Sequence, residues 1–209
     1  MTQFKHLRPI AFSTVMLILG FGLRDAVRAE FHFGATGGAT IGHLSDGGEF
    51  DKIKLGGGAS LEWSLGPRMG VRSGLYWSPK GSRYEPTYAY PISQALRLNT
   101  VAVPVGLTYR HWPKSRLPLL VYGAVEWSYL VSARRFENDD TNLGESTEAD
   151  VADSIRRWDV APLVGVGICA SDGVELAVQH SWGLRSVEKG STLMNRSFWV
   201  LGTLWFDVK

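Results

Sequence analysis

The chain has 209 residues, a formal net charge of +2, 44% hydrophobic content and a single cysteine. So small a charge excludes the basic stripe that nucleic-acid binding needs, the hydrophobic content excludes a disordered chain, and one cysteine excludes an intramolecular disulfide framework. Eight Trp and 24 Gly are the distinctive counts, the first favouring strands and interfaces and the second turns and crowded walls.

The N-terminus reads as an export signal. Lys5 and Arg8 precede the apolar run Ile10 to Leu23, and Val27-Arg28-Ala29 supplies small residues before Glu30, the order of a cleavable secretory signal peptide. The run is shorter than the roughly 20 residues a membrane-spanning helix needs. The expected division is therefore a signal peptide at 1–29 and one domain at 30–209. No later segment has a long unbroken apolar run, so no transmembrane helix is expected. An exported chain without one can still cross a membrane as a closed barrel.

Eight strands follow in order: Phe31–Leu44, Lys52–Leu65, Arg68–Tyr84, Leu96–Arg110, Leu119–Ala133, Arg157–Ala170, Val174–Gly183 and Asn195–Val208. Each alternates apolar with polar or small residues at period 2. In the second and third strands the apolar rows both fall on odd numbers, so paired residues must have an even sum. The turn chemistry of Gly66-Pro67-Arg68 satisfies that, pairing Trp63 with Val71 and Glu62 with Arg72. The connections alternate in length. Gly66–Arg68, His111–Pro118 and Ser171–Gly173 are short, whereas Ser45–Asp51, Glu85–Ala95, Arg134–Arg156 and Leu184–Met194 are longer and more polar. The Arg134–Arg156 stretch, rich in Asp and Glu, reads as a solvated acidic loop. An antiparallel meander gathers the short turns at one end and the long loops at the other, as outer-membrane barrels do.

Two barrels fit this alternation. A soluble lipocalin-like barrel in the periplasm turns the apolar row inward around an apolar ligand; a membrane barrel turns it outward to lipid. The polar row carries Glu62, Arg72, Glu126, Asp159 and Glu175 among Gly, Ala and Ser, and Trp63, Trp112, Trp127, Trp158 and Trp182 lie towards strand ends, where aromatic girdles sit. Both features favour an all-β, eight-stranded antiparallel up-and-down transmembrane β-barrel. Leu55, Leu61, Trp63, Val71 and Leu75 should then meet lipid. Glu62 and Arg72 should meet each other inside, with Glu175 or Glu126 reaching Arg72 from across the lumen as a charged plug.

From Phe31 onward the chain resembles the small bacterial outer-membrane β-barrels of the "porin family", the PorT-like barrels common in Bacteroidetes. The residues that carry the resemblance are Gly74-Leu75-Tyr76-Trp77-Ser78-Pro79-Lys80-Gly81, Leu98-Asn99-Thr100-Val101-Ala102-Val103-Pro104-Val105, Tyr122-Gly123-Ala124, the Asp159–Gly167 strand, and Val174-Glu175-Leu176 through Gly183-Leu184. Such barrels usually finish on an aromatic residue, whereas Trp205-Phe206 here precede Asp207-Val208-Lys209. The resemblance implies an outer-membrane location and a similar eight-stranded fold, and little about activity.

Some small outer-membrane barrels modify lipid, which makes His180-Ser181 worth weighing. Lipid A deacylases carry a His-x-Ser pair with both side chains on one face. Here the two are adjacent, so a strand points them to opposite faces and they cannot act as base and nucleophile. His32, His43, His111 and Cys169 lack metal-ligand spacing, and Gly56-Gly57-Gly58 is no phosphate loop because no helix follows. No enzyme, cofactor or metal site is expected. Eight strands leave an interior just wide enough for side chains to fill, so no general diffusion pore is expected either. The leading reading is a structural or surface-interaction barrel in the outer membrane, surrounded by lipid. Surface ligands or an envelope assembly would meet its outer loops, with Tyr84, Tyr88, Tyr90 and the acidic segment as contact candidates. The alternatives are the soluble ligand-binding barrel and a lipid-modifying barrel enzyme.

Overall fold

The computed structural model describes residues 30–44, 53–84, 92–139, 146–171, 173–187 and 194–207. The expected signal peptide at 1–29 lies outside the described residues. Strands β1 (Glu30–Leu44), β2 (Lys54–Ser64), β3 (Met69–Tyr84), β4 (Ile92–His111), β5 (Leu119–Asp139), β6 (Ser146–Asp150), β7 (Trp158–Ser171), β8 (Val174–Ser186) and β9 (Met194–Asp207) are all antiparallel to their neighbours. Every strand except β6 joins one ring of eight, and β1 closes it against β9 from His32↔Asp207 to Leu44↔Asn195. Closure leaves none of the eight ring strands as an edge strand, which a wall in hydrocarbon requires. No helix among the described residues is long and apolar enough to cross a membrane.

The opening hairpin has the expected register. Trp63 pairs with Val71 and Glu62 with Arg72, and the turn is closed by Leu65 N–H donating to Met69 C=O at 2.8 Å. The sequence dictates this, because a slip of one residue would turn Glu62 and Arg72 out and Trp63 in. The apolar rows face outward along the ring: Leu55, Leu61, Trp63, Leu75, Val105, Val125, Val166, Leu176 and Val200 are all exposed, whereas Glu62, Arg72, Glu126 and Glu175 are buried. A soluble ligand-binding barrel requires the reverse, so that alternative fails. Aromatic pairs mark both rims of the apolar band. Phe31 stacks on Trp63 and Phe33 on Phe206 near the turn end, and Tyr129 leans on Trp158 and His180 on Trp182 towards the loop end.

The loop end departs from the sequence reading. β4 begins at Ile92 rather than Leu96, β5 runs to Asp139 rather than Ala133, and β8 reaches Ser186 rather than Gly183. Apolar alternation fades there because the outward face meets water rather than lipid, while backbone pairing continues regardless of side-chain polarity. The solvated loop expected over Arg134–Arg156 is in part a ribbon. Arg134 to Asn138 pairs with Ser146 to Asp150, Arg134 is ion-paired to Glu148 at 2.6 Å, and Arg97 lies over the Phe136 ring at 4.3 Å. Beyond β6 the chain crosses the barrel mouth. Val151 N–H donates to Ala133 C=O and Arg156 N–H to Val187 C=O, which sets Ile155 among Leu44, Leu96, Leu98, Leu130 and Val187 in a small apolar core.

The outward row makes a graded prediction. Val105 lies midway along β4 between Tyr109 near the turns and Val101 beside Trp77, so Val105→Arg should lower the unfolding free energy in lipid vesicles by about 2–4 kcal/mol. The same substitution at Thr147 in the exposed ribbon should change it little, as read by urea titration of tryptophan fluorescence.

Candidate functional site

The polar rows of all eight wall strands converge on the lumen, and the charges there form two layers. The lower layer centres on Arg72 of β3, which is 3% exposed, with Glu62 of β2 at 1% and Glu175 of β8 at 2%. Arg72 donates from Nε and Nη2 to Glu62 Oε2 at 2.9 and 2.6 Å. On its other edge it donates from Nη1 and Nη2 to the two Glu175 oxygens, each at 2.7 Å. Glu62 also accepts from Arg110 of β4, and Trp205 Nε1 donates to Glu175 at 3.3 Å. The Trp205 and Tyr122 rings lie 4.9 and 5.6 Å from the guanidinium carbon, so its faces are covered by aromatic surface as well.

The upper layer is Lys80 of β3 with Glu126 of β5, joined at 2.8 Å. Together the layers set Arg72, Arg110 and Lys80 against Glu62, Glu175 and Glu126, with Asp159 of β7 near the upper pair accepting from the Val160 and Arg185 backbone N–H groups. Hydroxyls fill the wall between: Thr36 bonds Ser60 at 2.6 Å and Thr203 at 2.9 Å, and Ser60 bonds the Tyr76 hydroxyl at 2.5 Å. Bulk also enters from the glycine run. A Cβ on Gly56 would come within 2.6 Å of the Trp199 ring, so this glycine admits a buried indole, and a Cβ on Gly70 would crowd the Glu62 carboxylate at 3.1 Å.

Of the expected luminal cluster, Glu62 and Glu175 lie against Arg72, while Glu126 lies against Lys80. Reasoning from sequence passed over Lys80 and Arg110 as luminal charges. Both carry the right signal, since Lys80 shares the parity of Arg72, and Arg110 that of the small residues opposite Val105 and Tyr109. Both sit near the strand ends where that parity is easiest to overlook. Below the lower layer a vestibule of about 600 Å³ opens among the turns, lined by Pro67, Pro113, Arg116, Pro118, Cys169 and Trp205 with Glu62 and Glu175 at its floor. Above the upper layer a space of about 30 Å³ lies under the Ile155 cap.

Ser181 faces inward and shares a 2.7 Å hydrogen bond with Ser197, while His180 faces outward with its ring edge-on to Trp182 at 4.4 Å. The wall thus lies between the two groups a nucleophilic pair would need together. Among the described residues no group of three or more His, Cys, Asp or Glu is placed to hold a metal ion. Of the loop candidates, Tyr84 ends β3 at the loop end, and Tyr88 and Tyr90 lie outside the described residues.

A family model described as the outer membrane protein beta-barrel domain matches residues 21–188. No curated protein matches the chain. Solved structures similar to it include Ail, the attachment invasion locus protein of Yersinia pestis, in complex with the heparin analogue sucrose octasulfate. It shows 10% identity over 86% of this chain and 100% of that one, at a TM-score of 0.47. The outer membrane protein OprG of Pseudomonas aeruginosa aligns at 10% identity over 87% and 98%, with a TM-score of 0.45. A major outer membrane protein of Thermus thermophilus aligns at 10% identity over 84% and 99%, with a TM-score of 0.46.

Arg72 should prove the most sensitive luminal position. Arg72→Met leaves the buried Glu175 without a cation and Glu62 with only the Arg110 guanidinium, and should cost about 3–5 kcal/mol of unfolding free energy, whereas the triple variant Glu62→Gln, Arg72→Met, Glu175→Gln should recover much of that loss. Urea unfolding in vesicles, compared across the single and triple variants, measures both.

Proposed function

Because the chain belongs to the outer membrane protein beta-barrel domain family and resides in the bacterial outer membrane, we propose that it is a non-conducting, non-enzymatic scaffold presenting its outer loops to the cell's surroundings. The observation that carries this reading is the filled interior, where Arg72 clasped between Glu62 and Glu175 bars the lower lumen. The Lys80–Glu126 pair and the Ile155 cap stand above it. A solute would have to part buried ion pairs, each worth keeping because its members have no water to turn to. Barrels with aqueous channels use about 16–18 strands.

The rigid wall leaves the loops to carry recognition. Tyr84, Tyr88 and Tyr90 are the contact candidates, joined by the β5–β6 ribbon with its exposed Arg134 and Glu148. Surface ligands or a larger envelope assembly are the partners this arrangement suits. The export signal at residues 1–29 belongs to the same reading, with a mature chain starting near Glu30, which mass spectrometry of the membrane form would establish.

In planar bilayers the purified barrel should give no conductance of porin size that rises in proportion to bulk salt; such a conductance would overturn the scaffold reading. Orientation is tested separately on intact cells. A Tyr88→Cys variant should react with a membrane-impermeant maleimide from outside, while the native Cys169, beside the turn-end vestibule, should not.

A further inference from the structure

One arginine stands on the wrong face of the wall for a luminal charge. Arg196 of β9 is exposed on the row of Phe198, Val200, Leu204 and Phe206, the row that meets lipid. Across the β1–β9 seam it pairs with His43, and across β9–β8 with Trp182. His180, paired with Phe198, holds its ring against Trp182 at 4.4 Å. Two imidazoles, an indole and a guanidinium thus form one outward patch spanning three strands. The outward rows of β1, β8 and β9 carry no Asp or Glu among the described residues, so no acidic side chain of these rows answers Arg196.

Height decides what can answer it. Arg196 stands about ten residues along β9 from Phe206, or ~33 Å of strand and roughly 25 Å along the barrel axis at the usual tilt, the full height of the apolar band. Phe206 belongs to the turn-end girdle through its stack on Phe33. Arg196 therefore sits at the opposite boundary, at the level of the outer leaflet's headgroups, where Trp182 is the interface anchor. At the mid-plane an outward arginine would be strongly destabilising, but at this boundary it meets anionic headgroups. A guanidinium fork suits a phosphate bidentately, with the Trp182 and His180 rings walling the space beside it.

We infer that Arg196, His43, His180 and Trp182 form an outward-facing site for the phosphorylated headgroup of an outer-leaflet lipid. The site rests on the outer-membrane location and does not depend on the lumen being closed or on the loops binding a partner. It needs the acyl chains as well as the phosphate, since Phe198 and Val200 continue the same row into the hydrocarbon.

Native mass spectrometry of the full mature barrel in detergent, titrated with bisphosphorylated lipid A, tests it. A one-to-one adduct is expected, weakened at least about tenfold by Arg196→Gln and by using the dephosphorylated lipid, as loss of a charge-assisted hydrogen bond implies. Arg196→Lys should retain more binding than Arg196→Gln. Heat-modifiable migration in detergent gels certifies that each variant is folded, and Arg68→Gln in the exposed β2–β3 turn at the opposite end of the barrel should bind as the parent does. Equal retention by Arg196→Gln, or equal affinity for the dephosphorylated lipid, would overturn the site. Displacement of the lipid by inorganic phosphate at matching concentration would overturn the assignment to a lipid.

Discussion

Arg72 is held on both edges of its guanidinium, by Glu62 on one side and Glu175 on the other, and it cannot leave without depriving the buried Glu175 of its cation and Glu62 of one of its two. That constraint fixes more than its own position. Glu62 and Arg72 are direct cross-strand partners in the β2–β3 hairpin, whereas Glu175 comes from β8, nearly opposite in the ring. The ion pair therefore ties an early hairpin to a late strand. It reaches across the lumen and so belongs to the closed ring rather than to any one hairpin. A register slip in either half would carry one charge to the lipid face, where its cost is several kcal/mol at mid-depth. The charges thus act less as a source of net stability than as a penalty on every wrong pairing, a role consistent with the limited net gain expected of buried ion pairs.

The lumen is graded from one mouth to the other. At the turn end the vestibule is wet and lined by both signs of charge. The two ion-paired layers come next, with hydroxyls and a buried indole filling the spaces between. The far mouth is apolar, roofed by Ile155 on the segment that follows β6. Each zone is the complement of its surroundings. Where the wall meets lipid outside, the interior can be polar because the outward row alone supplies apolar burial. Above the membrane the outer face meets water instead of lipid, and the dry place left for leucines is inside.

That gradient explains what the sequence disclosed. Period-2 alternation exists only where one face meets lipid and the other the lumen, so the hairpin around Gly66-Pro67, the outward rows and the Glu62–Arg72 partnership were legible from numbering alone. The chain beyond Ala133 was not. Its charges read as a solvated loop, because a ribbon with water on both sides shows no apolar row and is held by backbone pairing that composition does not register. Ile155 gave no warning either, since one apolar residue in a polar stretch acquires meaning only from the leucines that other strands bring to it. Pairing across the barrel was the other gap. Periodicity tells which face a charge occupies but not its height, and height is what gives Glu126 to Lys80 and leaves Glu175 for Arg72.

Arg72 and Arg196 show the same rule from opposite sides of the wall. Both are arginines on regular strands, separated in register by parity alone. The one turned inward is satisfied by the chain itself, because Glu62, Glu175 and two aromatic rings surround it on every side. The one turned outward stands on rows of β1, β8 and β9 that offer it histidine and tryptophan but no carboxylate among the described residues. A closed barrel must satisfy its inner charges before it can be stable, whereas it can leave an outer charge to its solvent. At the boundary of the apolar band that solvent is the lipid headgroup, so Arg196 needs no carboxylate from these rows.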